Sequence, residues 1–181
     1  MKKILCLILV LISFFMGFAQ ETQKSGILYG PNWACMVEAP IGWIMDQDTL
    51  AKYHIYGLFY EEGTNFADNP PIVYISSAPI NGETDEALQK YVESFISNYT
   101  KKFGKKPEVQ KSEVKNLGKY FFYYFDYGSQ HEYIIFVRYK NGVHSIVGAT
   151  REKEKLPMIK AKVEEVASKM KFMDAEVNKK N

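Results

Sequence analysis

The chain holds 181 residues with 23 Lys and Arg against 21 Asp and Glu, and 15% of it is aromatic, from 13 Tyr, 12 Phe and 2 Trp. A balance this near neutral argues against nucleic acid as a partner, because a protein that binds phosphate backbones carries a net basic surface or stripe. Two cysteines cannot build a disulfide scaffold, so stability has to come from a buried core.

The first segment, MKKILCLILVLISFFMGFAQ, sets Lys2 and Lys3 before an apolar run from Ile4 to Met16, followed by Gly17-Phe18-Ala19. Basic residues, a short apolar core and small residues in that order make a secretory signal with cleavage after Ala19. The rival reading is a membrane anchor. A helix from Ile4 to Phe18 rises roughly 22 Å at about 1.5 Å per residue, short of a hydrocarbon core of about 30 Å. Lipoprotein anchoring needs a Cys directly after the apolar core, whereas Cys6 sits near its beginning. The sequence thus predicts a cleaved signal at residues 1–19 and a periplasmic or secreted protein with no membrane span after cleavage. Without Lys2 and Lys3 the remaining 21 basic residues equal the 21 acidic ones. Cys6 leaves with the signal, so no internal disulfide is expected. Cys35, between Ala34 and Met36, reads as a small buried hydrophobe rather than a nucleophile.

Trp33 to Glu38 reads as the first strand, stopped by Pro40. Pro40-Ile41-Gly42 then makes a tight reversal and delivers Trp43, a large apolar plate for one end of a core. A strand followed by Pro-x-Gly-Trp resembles the start of the PsbP-like superfamily, which includes the photosystem extrinsic protein PsbP, the Ran-binding Mog proteins and exported bacterial proteins of unknown role. The resemblance implies helix, sheet and helix layers across Trp33 to Phe172. It also implies partner binding as in the best-known members, whose own partners do not carry over to this chain.

Asp46 to Tyr53 is polar apart from Leu50 and Ala51, a helical turn or a loop, and His54 to Tyr60 reads as a strand. Glu61 to Pro71, EEGTNFADNPP, lacks apolar periodicity and is expected to be an exposed loop. Pro71 to Ser76 resumes as a strand. Thr84 is a helix N-cap, with Asp85 and Glu86 in the positively polarised first turn. Leu88, Tyr91, Val92, Phe95, Tyr99 and Phe103 recur at spacings of three and four as one apolar stripe, and Gly104 stops the helix. Lys101, Lys102, Lys105 and Lys106 at that end suit the negative pole of the helix dipole.

Pro107 to Asn116 alternates weakly and reads as an edge strand. Lys119 to Arg151 then carries three aromatic-rich strand segments. Asn141-Gly142 offers a two-residue hairpin loop, which sets Tyr139 opposite His144 and Glu132 opposite Arg151. A second two-residue loop at Gly128-Ser129 sets Asp126 opposite His131. Period-two alternation places Phe122, Tyr124, Ile135, Val137 and Ile146 on one face and Phe121, Tyr123, Phe125, Ile134, Phe136 and Val147 on the other. Both faces are apolar, so the sheet is expected to be covered on both sides. Leu156, Ile159, Val163, Val166 and Met170 mark a second one-striped helix, with Phe172 and Met173 packing at its end and a polar tail over 174–181. The prediction is a single α+β domain over 20–173, an α/β/α sandwich with a mainly antiparallel sheet and helices on both faces.

Few chemistries have the residues they need. On this register His131 and His144 lie roughly 26 Å apart at about 3.3 Å per residue, too far to share a metal ion whose nitrogen ligands sit at about 2.0 to 2.1 Å. No metal site and no cofactor is expected. There is no Gly-x-Ser-x-Gly elbow, phosphate-binding Gly-rich loop or dinucleotide turn, and Asp46-Gln47-Asp48 lacks the further acids and the Gly of a calcium loop. An envelope hydrolase would have to draw paired carboxylates from Glu38, Glu61, Glu62 or Asp68, and nothing in the sequence fixes their separation. The favoured expectation is a non-enzymatic binding or assembly module whose partner is an envelope or extracellular protein or a small ligand. Its contact residues are expected on the exposed loop, at Glu61, Glu62, Asn65 and Asp68, with Trp43 as a wall.

Overall fold

In the computed structural model, which describes residues 23–46, 55–114 and 118–174, the aromatic run forms three consecutive antiparallel strands at the centre of a larger sheet. The expected signal at 1–19, residues 47–54 and residues 175–181 of the expected tail lie outside the described residues. The strands are β1 (Ser25–Tyr29), β2 (Trp33–Glu38), β3 (Trp43–Asp46), β4 (Gly57–Glu61), β5 (Ile72–Pro79), β6 (Glu108–Val114), β7 (Gly118–Asp126), β8 (His131–Tyr139), β9 (Gly142–Thr150) and β10 (Lys171–Asp174). The helices are α1 (Asp85–Phe103) and α2 (Leu156–Lys169). Seven strands pair antiparallel in the order β3-β4-β5-β9-β8-β7-β6, while β1, β2 and β10 form a separate antiparallel sheet.

Both faces of the large sheet are covered, as its two apolar faces require. On one face Phe122, Ile135, Val137 and Ile146 pack with Ile159 and Val163 of α2 and with Leu28, Cys35 and Val37 of the small sheet. On the other, Phe125, Ile134, Phe136 and Val147 pack with Val92 and Tyr99 of α1, flanked by Leu88, Phe95 and Phe103. The consequence falls on β9, whose nine residues are all buried. At its middle, Gly148 has no side chain to hold α2 away. A Cβ there would stand 2.5 Å from Cγ2 of both Ile159 and Val163, closer than any real contact, so the helix rests on bare strand backbone.

The local signals at α1 hold to the residue. Thr84 Oγ1 accepts from the Ala87 N–H at 3.2 Å, and Gly104 closes the helix at φ 70 by donating to the Thr100 carbonyl. The Tyr99 hydroxyl donates to the Asp126 carbonyl at 2.7 Å and accepts from the Asp126 N–H at 3.0 Å. It thereby satisfies both backbone groups where β7 ends. The turn at Pro40 also forms, with the Trp43 N–H bonded to the Pro40 carbonyl at 2.9 Å and Gly42 at φ 77.

Three expectations need correction. The β8–β9 loop is Lys140-Asn141, not Asn141-Gly142: Tyr139 pairs with Gly142, Val137 with His144 and Glu132 with Ala149. Tertiary contacts override the local turn preference. Lys140, at φ 52, is held by the Asn32 carbonyl at 3.2 Å and by Asp174 at 2.8 Å, while Asn141 Oδ1 accepts from Asn32 Nδ2 at 2.7 Å. A two-residue shift is even, so every side chain keeps its face. The loop at Gly128-Ser129 and its pairing of Asp126 with His131 stand as expected. Second, Trp33–Glu38 is not the first strand, because β1 precedes it and pairs with it. Third, Asp174 belongs to β10, which pairs with β2, rather than to a polar tail.

Replacing Gly148 with Ala forces two methyl groups and the helix backbone outward. The expected cost is about 1–3 kcal/mol of stability, read as a lower urea midpoint with unchanged slope. An unchanged midpoint would mean that α2 does not rest on β9.

Candidate functional site

Antiparallel pairing of β3 with β4 sets Trp43 opposite Glu61, and the Glu62 N–H donates to the Gly42 carbonyl at 3.0 Å. The sheet thus gathers Trp43, Glu61 and Glu62 at one corner. Trp43 is 4% exposed and belongs to the core, with Lys162 Nζ 5.9 Å from its ring centroid and bonded to the Ile41 carbonyl. The Glu62 carboxylate is ion-paired with Lys24. Asn65 and Asp68 lie apart from this corner, in a short helical turn (Phe66–Asp68) whose Phe66 packs on Tyr60 with Leu58, Ile72 and Tyr74, over the opposite face of the sheet.

The loop is exposed but wired to itself. Asn65 Oδ1 accepts from the Ala67 N–H at 3.0 Å, Thr64 Oγ1 donates to the Glu61 carbonyl at 2.7 Å, and Asn69 takes the left-handed conformation, φ 54, while donating to the Phe66 and Ala67 carbonyls. These bonds fix a surface segment in one shape and leave Glu61, Thr64 and Asp68 facing solvent.

Between this loop and the strand ends lies a cleft of about 170 Å³, with Phe66 and Pro70 on one side and Gln130, Thr150 and Arg151 on the other. Arg151 is exposed and makes no ion pair among the described residues. Two residues along β8 from Gln130, on the same face, is Glu132, 7% exposed. Burial pushes its carboxyl up from the usual range, opposed by hydrogen bonds from Gln130 and Tyr127. The expected register sets Glu132 opposite Arg151, so the sequence does not mark it as a buried carboxylate beside Gln130. A signal was present, since Glu132 falls two and four residues before Ile134 and Phe136 on an apolar face.

The groups that chemistry most often recruits are internal. Cys35 is fully buried and its thiol is pushed up to about 12 by burial. His131 is 8% exposed, with Nδ1 3.0 Å from the Tyr124 hydroxyl and 3.5 Å from Asp126. The Asp126 carboxyl is itself held below its usual range by Lys105 and the Gly128 N–H. His144 is fully buried between Trp33 and Phe172, and burial lowers its ring to about 4. The corrected register puts His144 opposite Val137, six residues from His131, or roughly 20 Å along the strand. The expected separation of 26 Å is therefore too long, though the two still cannot share an ion. His54 lies outside the described residues, among which no group of three or more His, Cys, Asp or Glu could hold a metal ion.

Among solved structures the chain is similar to cyanobacterial PsbP (CyanoP) from Synechocystis sp. PCC 6803, with a TM-score of 0.51 and 12% identity over 86% of this chain and 96% of that one. It is also similar to a protein from Bacteroides thetaiotaomicron VPI-5482, with a TM-score of 0.47 and 13% identity over 88% of this chain and 51% of that one. No protein-family model and no curated protein matches the sequence. The α+β layers described above are therefore a PsbP-like fold.

Two buried groups give opposite pH dependences. A Glu132 carboxyl raised in the fold contributes stability that is present at low pH and lost as pH rises through its folded value. Glu132→Gln should raise the melting temperature at pH 8, with the gain gone by pH 4. A His144 ring lowered to about 4 works the other way: its stability is present above the ordinary value of 6.5 and lost as pH falls toward 4. On the order of 3 kcal/mol is at stake, and His144→Leu should flatten the acid limb of stability against pH.

Proposed function

We propose that this protein is an exported, non-enzymatic binding or assembly module acting in the periplasm or outside the cell. One observation carries the reading: Cys35, His131 and His144 are packed inside, while the Glu61–Asn69 loop offers carboxylates and amides from a self-bonded segment at the edge of a rigid sheet. Preorganised polar groups on an exposed loop suit recognition, because little conformational freedom is lost on contact.

The leader before Gln20 supports export, and no helix among the described residues is long and apolar enough to cross a membrane. The partner is an envelope or extracellular protein or a small ligand rather than nucleic acid, which the balanced charge disfavours. Glu61 and Asp68 make the direct contacts. Glu62, tied to Lys24, and Trp43, opposite Glu61, hold that corner of the loop in place. Asn65 keeps the turn that presents Asp68.

The test is chemical cross-linking in envelope extract with the mature protein and with a Glu61→Ala/Asp68→Ala variant. Both changes are at exposed positions, so the melting temperature should move by no more than the equivalent of about 0.5 kcal/mol. The variant should lose a cross-linked species that the wild type forms. Hydrolysis of chromogenic glycosides or esters that disappears with Glu61→Gln would overturn the reading in favour of an envelope hydrolase.

A further inference from the structure

On its own face of the large sheet, α1 closes over only part of the strands. Phe95 and Tyr99 set their rings 5.3 and 4.8 Å from Phe125, and Tyr91 and Phe95 set theirs 6.0 and 5.4 Å from Phe136. Among the described residues no ring of α1 meets Tyr123 or Phe121 in the same way, and a cavity of about 450 Å³ opens there between helix and sheet. Leu88, Val92 and Ile96 form its helix wall, with Phe121, Tyr123 and Phe136 as its sheet wall. Phe121 is 46% exposed, and Val109, the cross-strand partner of Tyr123 and so on the same face, is 51% exposed. Apolar surface therefore continues from the cavity to the outside of the molecule, as it does at binding sites.

Of the residues that line the cavity only Asp85 and Glu93 are charged, and both are acidic. With Gln89 between them they follow one another at helical spacing of four along the same edge of α1. Asp85 already has a cation, since Arg138 Nη2 stands 3.1 Å from its Oδ1. Glu93 has no ion pair among the described residues, and its Oε1 accepts from Gln89 Nε2 at 2.8 Å, which holds the carboxylate at the rim. Lys111, whose Nζ lies 5.8 Å from the Phe121 ring centroid, is not part of the lining. The sheet wall presents its rings at mutual tilts, 46° between Phe121 and Tyr123 and 66° between Tyr123 and Phe136. A carboxylate without a cation beside aromatic rings attracts a positive group twice, by charge and through the ring quadrupole.

We propose that this cavity binds a small amphiphilic amine, with its apolar body between the helix wall and the three rings and its ammonium group at the rim against Glu93. The volume falls within the range of ligand pockets and takes one ring with a short chain. Removing the body from water supplies most of the affinity. Glu93 is exposed, so the ammonium pairs with it while keeping part of its hydration, and no charge is buried outright. An anionic head would meet the Glu93 carboxylate with no lining cation to balance it. The rings and aliphatic side chains thus set affinity, and the carboxylate sets the preference for charge. The cavity shares no residue with the Glu61–Asn69 loop, so the proposal does not rest on the role given to that loop.

The experiment is an NMR titration of the protein with 4-phenylbutylamine, 4-phenylbutanol and 4-phenylbutyrate, following the methyl signals of Leu88, Val92 and Ile96. The three probes share one apolar body and differ in head charge. The amine should shift these methyls saturably, binding about threefold more tightly than the alcohol, as an exposed ion pair allows, and about tenfold more tightly than the carboxylate. Glu93→Gln, at an exposed position, should bring the amine and the alcohol to about equal affinity while the alcohol binds as before. Phe121→Ala should weaken all three probes, with the melting temperature of each variant near that of the wild type. No saturable shift at these methyls with the amine overturns the proposal. So does binding of the carboxylate as tight as that of the amine, or an amine preference that survives in folded Glu93→Gln protein.

Discussion

The contact on which the rest of the structure depends is the one between α2 and the middle of β9. Gly148 offers no side chain, so Ile159 and Val163 drop their methyl groups onto the strand itself. That approach brings α2 close enough for Leu156, Ile159, Val163, Val166 and Ala167 all to be buried. The same approach lets the three-stranded sheet close over the remainder of that face through Leu28, Cys35 and Val37. With α1 on the other side, β9 is enclosed along its whole length, and the seven-stranded sheet becomes a middle layer.

A sheet enclosed in this way accounts for the aromatic richness of the chain. Phe122, Phe125, Phe136 and Tyr99 fill space between layers, and edge-on ring contacts such as Tyr99 with Phe125, at 4.8 Å, add about 0.5–1.5 kcal/mol each beyond burial. The aromatics of the core are thus mostly fold, and surfaces open to recognition lie at the two ends of the sheet and beside α1, where Phe121 is exposed on a cavity of about 450 Å³. One end carries the Glu61–Asn69 loop with Gln130 and Arg151. The other carries a cavity beside Gly142 whose lining residues are uncharged.

Where the determinants were local, the sequence was legible. Thr84, the three-and-four stripe and Gly104 define α1 by contacts within one helix, and strand alternation assigned Ile135 and Phe136 to their correct faces without knowledge of the exact pairing. The expected pairing of β8 with β9 is two residues off because the loop at Lys140-Asn141 is set by Asn32 and Asp174, more than 30 residues distant in either direction. Short strands at the chain's extremities were invisible for a related reason. Ser25–Tyr29 buries only Leu28, too weak a pattern to read, and β10 exists because β2 is there to pair with it. The same misplaced register conceals Glu132, which it sets opposite Arg151 and which in the fold is buried opposite Ala149. The sequence marks the loop only as an exposed segment, and the separation of its residues into a Trp43–Glu61–Glu62 corner and an Asn65–Asp68 turn follows from the packing of Phe66, which no local pattern encodes.

The central claim is that β9 is the enclosed strand on which both coverings rest. Native-state amide hydrogen exchange across the sheet tests it most directly, because it resolves local opening from global unfolding residue by residue. Amides in β9 and β8 are expected to exchange only through global unfolding, with those of the edge strand β6 opening at lower free energy. Exchange in β9 through local opening, as fast as or faster than in β6, would contradict the account.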